Sequence, residues 1–310
     1  MLVVFGAISM ELHIPLEQFP TITTQAIAKD YTLNAGGKAA NQAYAATRSG
    51  AKVALIGKTG DDDYARRILE KVRREGVITS GVGKSDSVHT GLDIICTNEN
   101  NDIQTIKSPG ANAFSTASQI PEEILDEDAI VLVQSDIDMK QNEALLKKAK
   151  DNNAITMMNL SPSINISNEL LSSLDYLILN TAQAAKFAAK IGIPAESSTD
   201  KIAQALAKIG DLTCIITKSE KGSVTYTKEG KGYSTPALQL ENFVDHNGAE
   251  DAYCGTLAAC LLEKMPLTAA LKRASIAATL SCEKKGGLHA FPYLADINDK
   301  LDDLDDPTEI

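Results

Sequence analysis

The chain has 310 residues, 44% hydrophobic and 23% charged, a composition that supports a large buried core and excludes disorder as the dominant state. Acidic residues outnumber basic ones 41 to 30, giving a net charge of −11. That balance argues against non-specific binding to nucleic acid or to an anionic membrane.

The N-terminal stretch MLVVFGAISMEL has neither a basic n-region nor a small-residue cleavage site. Residues 2–8 read as a buried strand. A helix is expected over 37–49 after a Gly-Gly turn, a strand over 53–56, and a charged amphipathic helix over 62–75 ending at Gly76. Further strands are expected at 129–134, 155–159, 176–179 and 214–217, with helices at 139–151, 181–191 and 199–209 between them. This alternation predicts βαβ units and a mainly parallel sheet in one α/β domain spanning 1–310. Two helices close the chain, over 249–263 and 266–284, with Pro266 suited to a first turn.

Two segments break the rhythm. Residues 13–33 and 91–107 alternate apolar and polar side chains, and the second has a turn-rich centre at 98–102, as a hairpin does. Inserted strands of this kind serve as a lid, as an oligomer interface, or as a surface hairpin without a role, and the pattern leaves all three open. The acidic tail, 302–310, reads as frayed. The five cysteines are odd in number and form no CxxC pair, which fits a reducing compartment. No apolar run approaches ~20 residues, so no membrane span is expected. The protein is expected in the cytoplasm.

Near the C-terminus, Asp245-His246-Asn247-Gly248-Ala249-Glu250-Asp251 leads straight into a helical run. Free N–H groups at a helix start attract anions, and small residues let the anion approach. Asp251 then serves either as a general base beside such an anion or as an ordinary acidic residue favoured by the helix dipole. A second Gly pair, in Asn34-Ala35-Gly36-Gly37-Lys38-Ala39-Ala40-Asn41-Gln42, precedes the first helix. Lys38 and Asn41, three apart, share a face there. They are either hydroxyl-binding groups or a solvated helix face.

Together, the stretches GGKAANQAYAATRSGAKVALIGKTGDD and DHNGAEDAYCGTLA resemble the two signatures of the ribokinase-like (PfkB-type) carbohydrate kinases, and the likeness runs from about Val3 to about Pro292. The resemblance implies a mainly parallel sheet flanked by helices, with a small β-lid from about 10–35 and 88–108. It implies transfer of phosphate from ATP with Mg²⁺ to a hydroxyl of a sugar or sugar-like molecule. Asp251 matches the catalytic base, and Gly248, Ala249 and the amides of Glu250 and Asp251 match the anion hole. Ser9, Glu11, Gly37, Lys38, Asn41 and Asp136 match substrate-contacting positions. On the nucleotide side the matches are Asn180, Thr217, Lys218, Ser219, Lys221, Gly222, Ser275 and Ala278. Asp245, Asn247 and Gly286 fall at a monovalent-cation loop for K⁺, and a homodimer through the lid is implied.

Four departures qualify this. Glu250 stands where the family pattern has glycine. Aimed at phosphate ~6 Å away, its charge would repel by roughly 3 kcal/mol, and a positive φ there would add roughly 1–2 kcal/mol; turned to solvent, it costs little. Gln183 replaces the glutamate of an Asn-x-x-Glu motif and loses the charge that suits Mg²⁺. Lys218–Gly222 departs from the usual Thr-x-Gly loop. Ser9-Met10-Glu11 replaces Asn-x-Asp, which puts ribose itself in doubt. Two rival readings follow: a kinase-fold binding protein with weakened or lost turnover, and a nucleoside kinase.

Overall fold

The computed structural model describes residues 1–310 except 101, 163–165, 195 and 241. β1 (Leu2–Phe5) is buried on both faces. Leu2 and Val4 enter one apolar cluster and Val3 and Phe5 another, as side chains alternating across a sheet must. The strand ends three residues earlier than expected. The Ile8 amide donates to Asn112 Oδ1 at 2.9 Å, which draws the chain out of this sheet and into β2 (Ser9–Pro15) of a second one.

β3 (Thr32–Gly36) turns into α1 (Lys38–Arg48). β4 (Val53–Gly60), α2 (Asp63–Arg74) and β5 (Val82–Ser85) follow, then β6 (Gly91–Thr97) and β7 (Ile103–Ser108). The βα repeat resumes with β8 (Ile130–Gln134), α3 (Met139–Asp151), β9 (Ile155–Asn159), α4 (Asn168–Ser172), β10 (Tyr176–Asn180), α5 (Thr181–Lys190), α6 (Thr199–Gly210) and β11 (Thr213–Thr217). β12 (Ser223–Tyr226) and β13 (Gly232–Thr235) precede α7 (Ala249–Leu262), α8 (Leu267–Ser281), α9 (Leu294–Asp299) and β14 (Thr308–Glu309).

Among the described residues the large sheet runs β14-β13-β12-β11-β10-β9-β8-β1-β4-β5. It is parallel from β5 to β11 and antiparallel beyond. α1 and α7 pack together on one face, with Gly255 of α7 closely opposite Gln42, Ala45 and Ala46 of α1, and Ser49 Oγ meets Thr256 Oγ1 at 2.9 Å. The two helix starts meet over the carboxyl ends of β8 and β9, where Gln42 reaches Gln134, Asn159 and Asp251, the end of an α/β sheet at which ligands bind. The tail is not frayed as its composition predicts. β14 pairs with β13, and Lys272 Nζ holds Asp306 at 2.7 Å.

The small sheet runs β3-β2-β6-β7. Of the alternating stretch 13–33, only its ends pair. Residues 16–31 form no strand, and Ile22 and Ile27 lie exposed: alternation without a partner strand does not make a sheet. Register gives this sheet two unlike faces. One carries the row Leu33, Leu12, Ile94, Ile106; the other carries Asn34, Glu11, Asp93, Lys107.

Candidate active site

Gly248 caps α7 with φ 88° and ψ −6°, a left-handed conformation that glycine adopts readily. A Cβ here would also lie 2.9 Å from the Phe291 ring. No side chain among the described residues caps this helix, so the first-turn amides, which lack intrahelical acceptors, stay available to an anion.

Asp251, in that first turn, is 5% exposed. Three side chains of α1 converge on it. Asn41 Nδ2 donates to Oδ2 at 3.1 Å and Gln42 Nε2 to Oδ1 at 2.9 Å, while Lys38 Nζ stands 3.7 Å from Oδ1. Positions 38, 41 and 42 share one helix face, so a single element supplies the cation and both amides. Burial raises the Asp251 pKa; Lys38, Gln42 and Asn41 partly oppose it. Burial alone would lower the Lys38 pKa, but Asp251, Glu250 and Asp136 together raise it, so the ammonium stays charged.

The α1 start is fixed by Gly37, with φ 88°, where a Cβ would sit 2.6 Å from the Ser9 nitrogen. Glu11 Oε1 accepts from the Gly37 amide at 3.2 Å and from Asn41 Nδ2 at 3.5 Å, and His13 Nε2 lies 3.2 Å from Oε2. Burial pushes the Glu11 pKa up, but these contacts outweigh it and the net shift is downward. Ser9 Oγ accepts from Asn112 Nδ2 at 3.1 Å.

Glu250 is half-buried rather than turned fully to solvent. Its backbone is right-handed helix, so the positive-φ penalty does not arise. Its Oε1 accepts from Asn159 Nδ2 at 2.7 Å. Asn159 Oδ1 in turn accepts from Gln42 Nε2 at 3.1 Å, and Gln42 Oε1 accepts from Gln134 Nε2 at 2.7 Å. An amide relay thus ties Glu250 to the partners of Asp251.

Asp136, just past β8, has both carboxylate oxygens sealed from solvent without a hydrogen-bond partner among the described residues. Burial raises its pKa to about 6 against the pull of Lys107 and Lys38. Across the cleft, Lys107 Nζ donates to Asp93 Oδ2 at 3.0 Å.

The expected nucleotide residues lie at the ends of β10 and β11, in the loop that follows β11, and on α8. Asn180 and Gln183 form a reciprocal cap on α5: the Asn180 amide donates to Gln183 Oε1 at 2.8 Å, and the Gln183 amide donates to Asn180 Oδ1 at 2.9 Å. Thr217 ends β11. Lys218 is half-buried and Ser219 and Lys221 are exposed, in a tight loop closed by Gly222. Ser223, next in the chain, meets the Tyr253 hydroxyl of α7 at 3.1 Å. Ser275 Oγ donates to the Pro236 carbonyl at 2.6 Å, beside a cavity of about 860 Å³ lined by residues including Ala237, Gln239, Asn242 and Lys284. Ala278 is half-buried against the core. Asp245 accepts from the Asn247 amide at 2.9 Å and the Gly286 amide at 2.8 Å, which joins the two segments of the expected cation loop.

The model of the pfkB family of carbohydrate kinases matches residues 1–293. The chain belongs to this family. A ribokinase of Lactococcus lactis is 28% identical over 97% of both chains. The Arabidopsis thaliana ribokinase solved with ribose and ATP superposes with a TM-score of 0.86 at 25% identity, over 97% of this chain and 98% of that one. The Thermotoga maritima ribokinase gives 0.88 at 24% identity over 97% and 99%. In this pfkB chain the expected residues Glu11, Gly37, Lys38, Asn41 and Asp251 are joined by hydrogen bonds and an ion pair, with Ser9 against Gly37, Gly248, Ala249 and Glu250 beside Asp251 at the start of α7, and Asp136 within electrostatic reach of Lys38 and Asp251. Sequence reasoning missed Gln42, Asn159, Gln134, His13, Asp93 and Lys107. Gln42 was findable, being one turn on from Lys38, and Lys107 lies opposite Asp93 once the hairpin is folded about its centre.

Proposed function

We propose that this chain transfers the γ-phosphoryl group of ATP to a hydroxyl of a sugar or sugar-like acceptor, with Asp251 as the base. The observation that carries this reading is the Asp251 carboxylate, buried under Lys38, Asn41 and Gln42 beside the uncapped amides of α7. Asp251 takes the acceptor's hydroxyl proton as the oxygen forms its bond to phosphorus and the bond to ADP breaks. The amides at 248–251 face the charge on the transferring group, and the reaction is mostly positioning and charge stabilisation. The raised pKa of Asp251 makes its carboxylate a stronger base than an exposed one.

The nucleotide is placed against Asn180, Thr217–Gly222, Ser275 and Ala278. Mg²⁺ enters with the ATP phosphates. Gln183 lacks the charge that suits Mg²⁺ and its side-chain oxygen accepts from the Asn180 backbone amide, so no step is assigned to it. K⁺ would meet the loop pair held together by Asp245. The protein acts in the cytoplasm, consistent with five free cysteines, and no helix among the described residues is long and apolar enough to cross a membrane. A homodimer forms through the lid, whose apolar row has Leu33 packed on the core but leaves Leu12 and Ile94 half-buried and Ile106 exposed, which supports an apolar contact.

ADP release from Mg·ATP is measured with and without K⁺ against pentoses, hexoses and nucleosides. The Asp251→Asn protein should lose about 10²–10⁴-fold in kcat with a small change in KM; equal turnover would remove Asp251 from the mechanism. Glu250 and Gln183 favour a second reading, a kinase-fold binding protein, and calorimetric ATP binding without turnover of any acceptor would decide for it.

A further inference from the structure

The row Asn34, Glu11, Asp93, Lys107 crosses all four strands of the small sheet, and residues in register share one face. Glu11 reaches Gly37 and Asn41 from that face, so the row looks onto the start of α1 and onto Asp251. Asp93 is 7% exposed, and its Lys107 partner stands at the rim with its side chain 46% exposed. A half-desolvated ion pair of this kind is a poor stabiliser of a fold. Opposite, Asp136 lies within the electrostatic reach of Lys107, Lys38, Asp93 and Asp251, with two oxygens that nothing among the described residues supplies with a donor.

We propose that Asp93, Lys107 and Asp136 bound the end of the acceptor subsite remote from Asp251, and that they select an uncharged polyhydroxylated sugar over a sugar acid or sugar phosphate. This assignment rests on the kinase reading above and specifies its acceptor. Asp136 requires donors, and a hydroxyl supplies one while keeping lone pairs for Lys107; a carboxylate or phosphate dianion offers only acceptors. The charges agree. Among the described residues, Glu11, Asp93, Asp136 and Asp251 face two ammonium groups, Lys38 and Lys107, each already holding a carboxylate, with the His13 ring beside Glu11. An anionic substituent would therefore enter a cleft with excess negative charge.

The test compares kcat/KM for neutral pentoses and hexoses with that for their aldonic acids and 1-phosphates, in the full-length protein and its variants. The wild type should prefer the neutral sugar by about 100-fold or more, the scale of one uncompensated charge at short range. Asp93→Asn keeps the shape but frees Lys107 for an anion, and should lower that preference about tenfold or more. Lys107→Met should raise KM for the neutral sugar several-fold (roughly one lost hydrogen bond to a charged group) with kcat little changed. A preference within twofold of wild type in both variants, or a wild type that prefers the anions, overturns the assignment. Calorimetry of the same acceptors separates the two levels. Binding with this selectivity but no turnover keeps the assignment and overturns the kinase reading, whereas neither binding nor turnover overturns both.

Discussion

Asp136 holds a buried carboxylate that no described residue satisfies. An unfolded aspartate ionises near pH 4, whereas this one ionises at about 6. The folded state therefore binds the proton more tightly than the unfolded state does. The residue's contribution to stability falls as pH rises between about 4 and 6 and is level above that. The penalty at neutral pH is up to about 3 kcal/mol. Asp136→Asn should remove most of it, raising Tm by a few degrees at pH 7.5 and flattening the stability change across pH 4–6, as thermal melts at several pH values would show. The same substitution replaces one of two acceptor oxygens with a donor and should weaken acceptor binding. Unchanged melts at both ends of the range would mean that Asp136 is already solvated. A group that lowers stability at rest and serves the ligand is expected at a functional site.

At the scale of elements, the site is made where two helix starts meet. α7 carries Glu250 beside its free amides, tethered to Asn159 at 2.7 Å. Glu250→Gln keeps an oxygen for that tether and removes a negative charge from the corner assigned to phosphate. It should raise kcat/KM for ATP by about tenfold or more, since repulsion of roughly 1–3 kcal/mol is lifted; an unchanged value would show that the tether already holds the charge clear. The helices and parallel strands behind this corner were legible in sequence. The expected helix at 139–151 is α3 residue for residue, and 62–75 differs from α2 by one residue at each end, because long amphipathic periods and Gly stops are local signals. The antiparallel edge of β12, β13 and β14 was not foreseen, since short strands are defined by their partners rather than by their own pattern. The site divides in the same way. Lys38, Asn41 and Asp251 were visible because each sits in a glycine-marked turn. Asn159 and Gln134 were invisible because single amides at strand ends acquire meaning only when α1 is laid across them. Asp93 and Lys107 required a register, which a hairpin pattern suggests but does not fix.

For the whole molecule, the two-faced small sheet would tie the proposed catalysis to the proposed dimer. Its polar row faces the cleft, and the opposite row leaves Ile106 at 65% exposure. Sedimentation velocity at micromolar concentration should show a dimer, and Ile106→Glu should yield a folded monomer with a higher KM for acceptor; a monomeric wild type would refute the lid interface. The central carboxylate and its amide donors have a further consequence. Asp251 meets Gln42 and Asn41 across 209 and 210 positions of chain. A ribosome releases the N-terminal partners first. The polar face of α1 must therefore stay hydrated, without its protein partner, through most of translation until the segment bearing Asp251 emerges. Final burial of those amides and the completion of the site are one event, so a truncated or stalled product that lacks Asp251 carries no partly formed site at all.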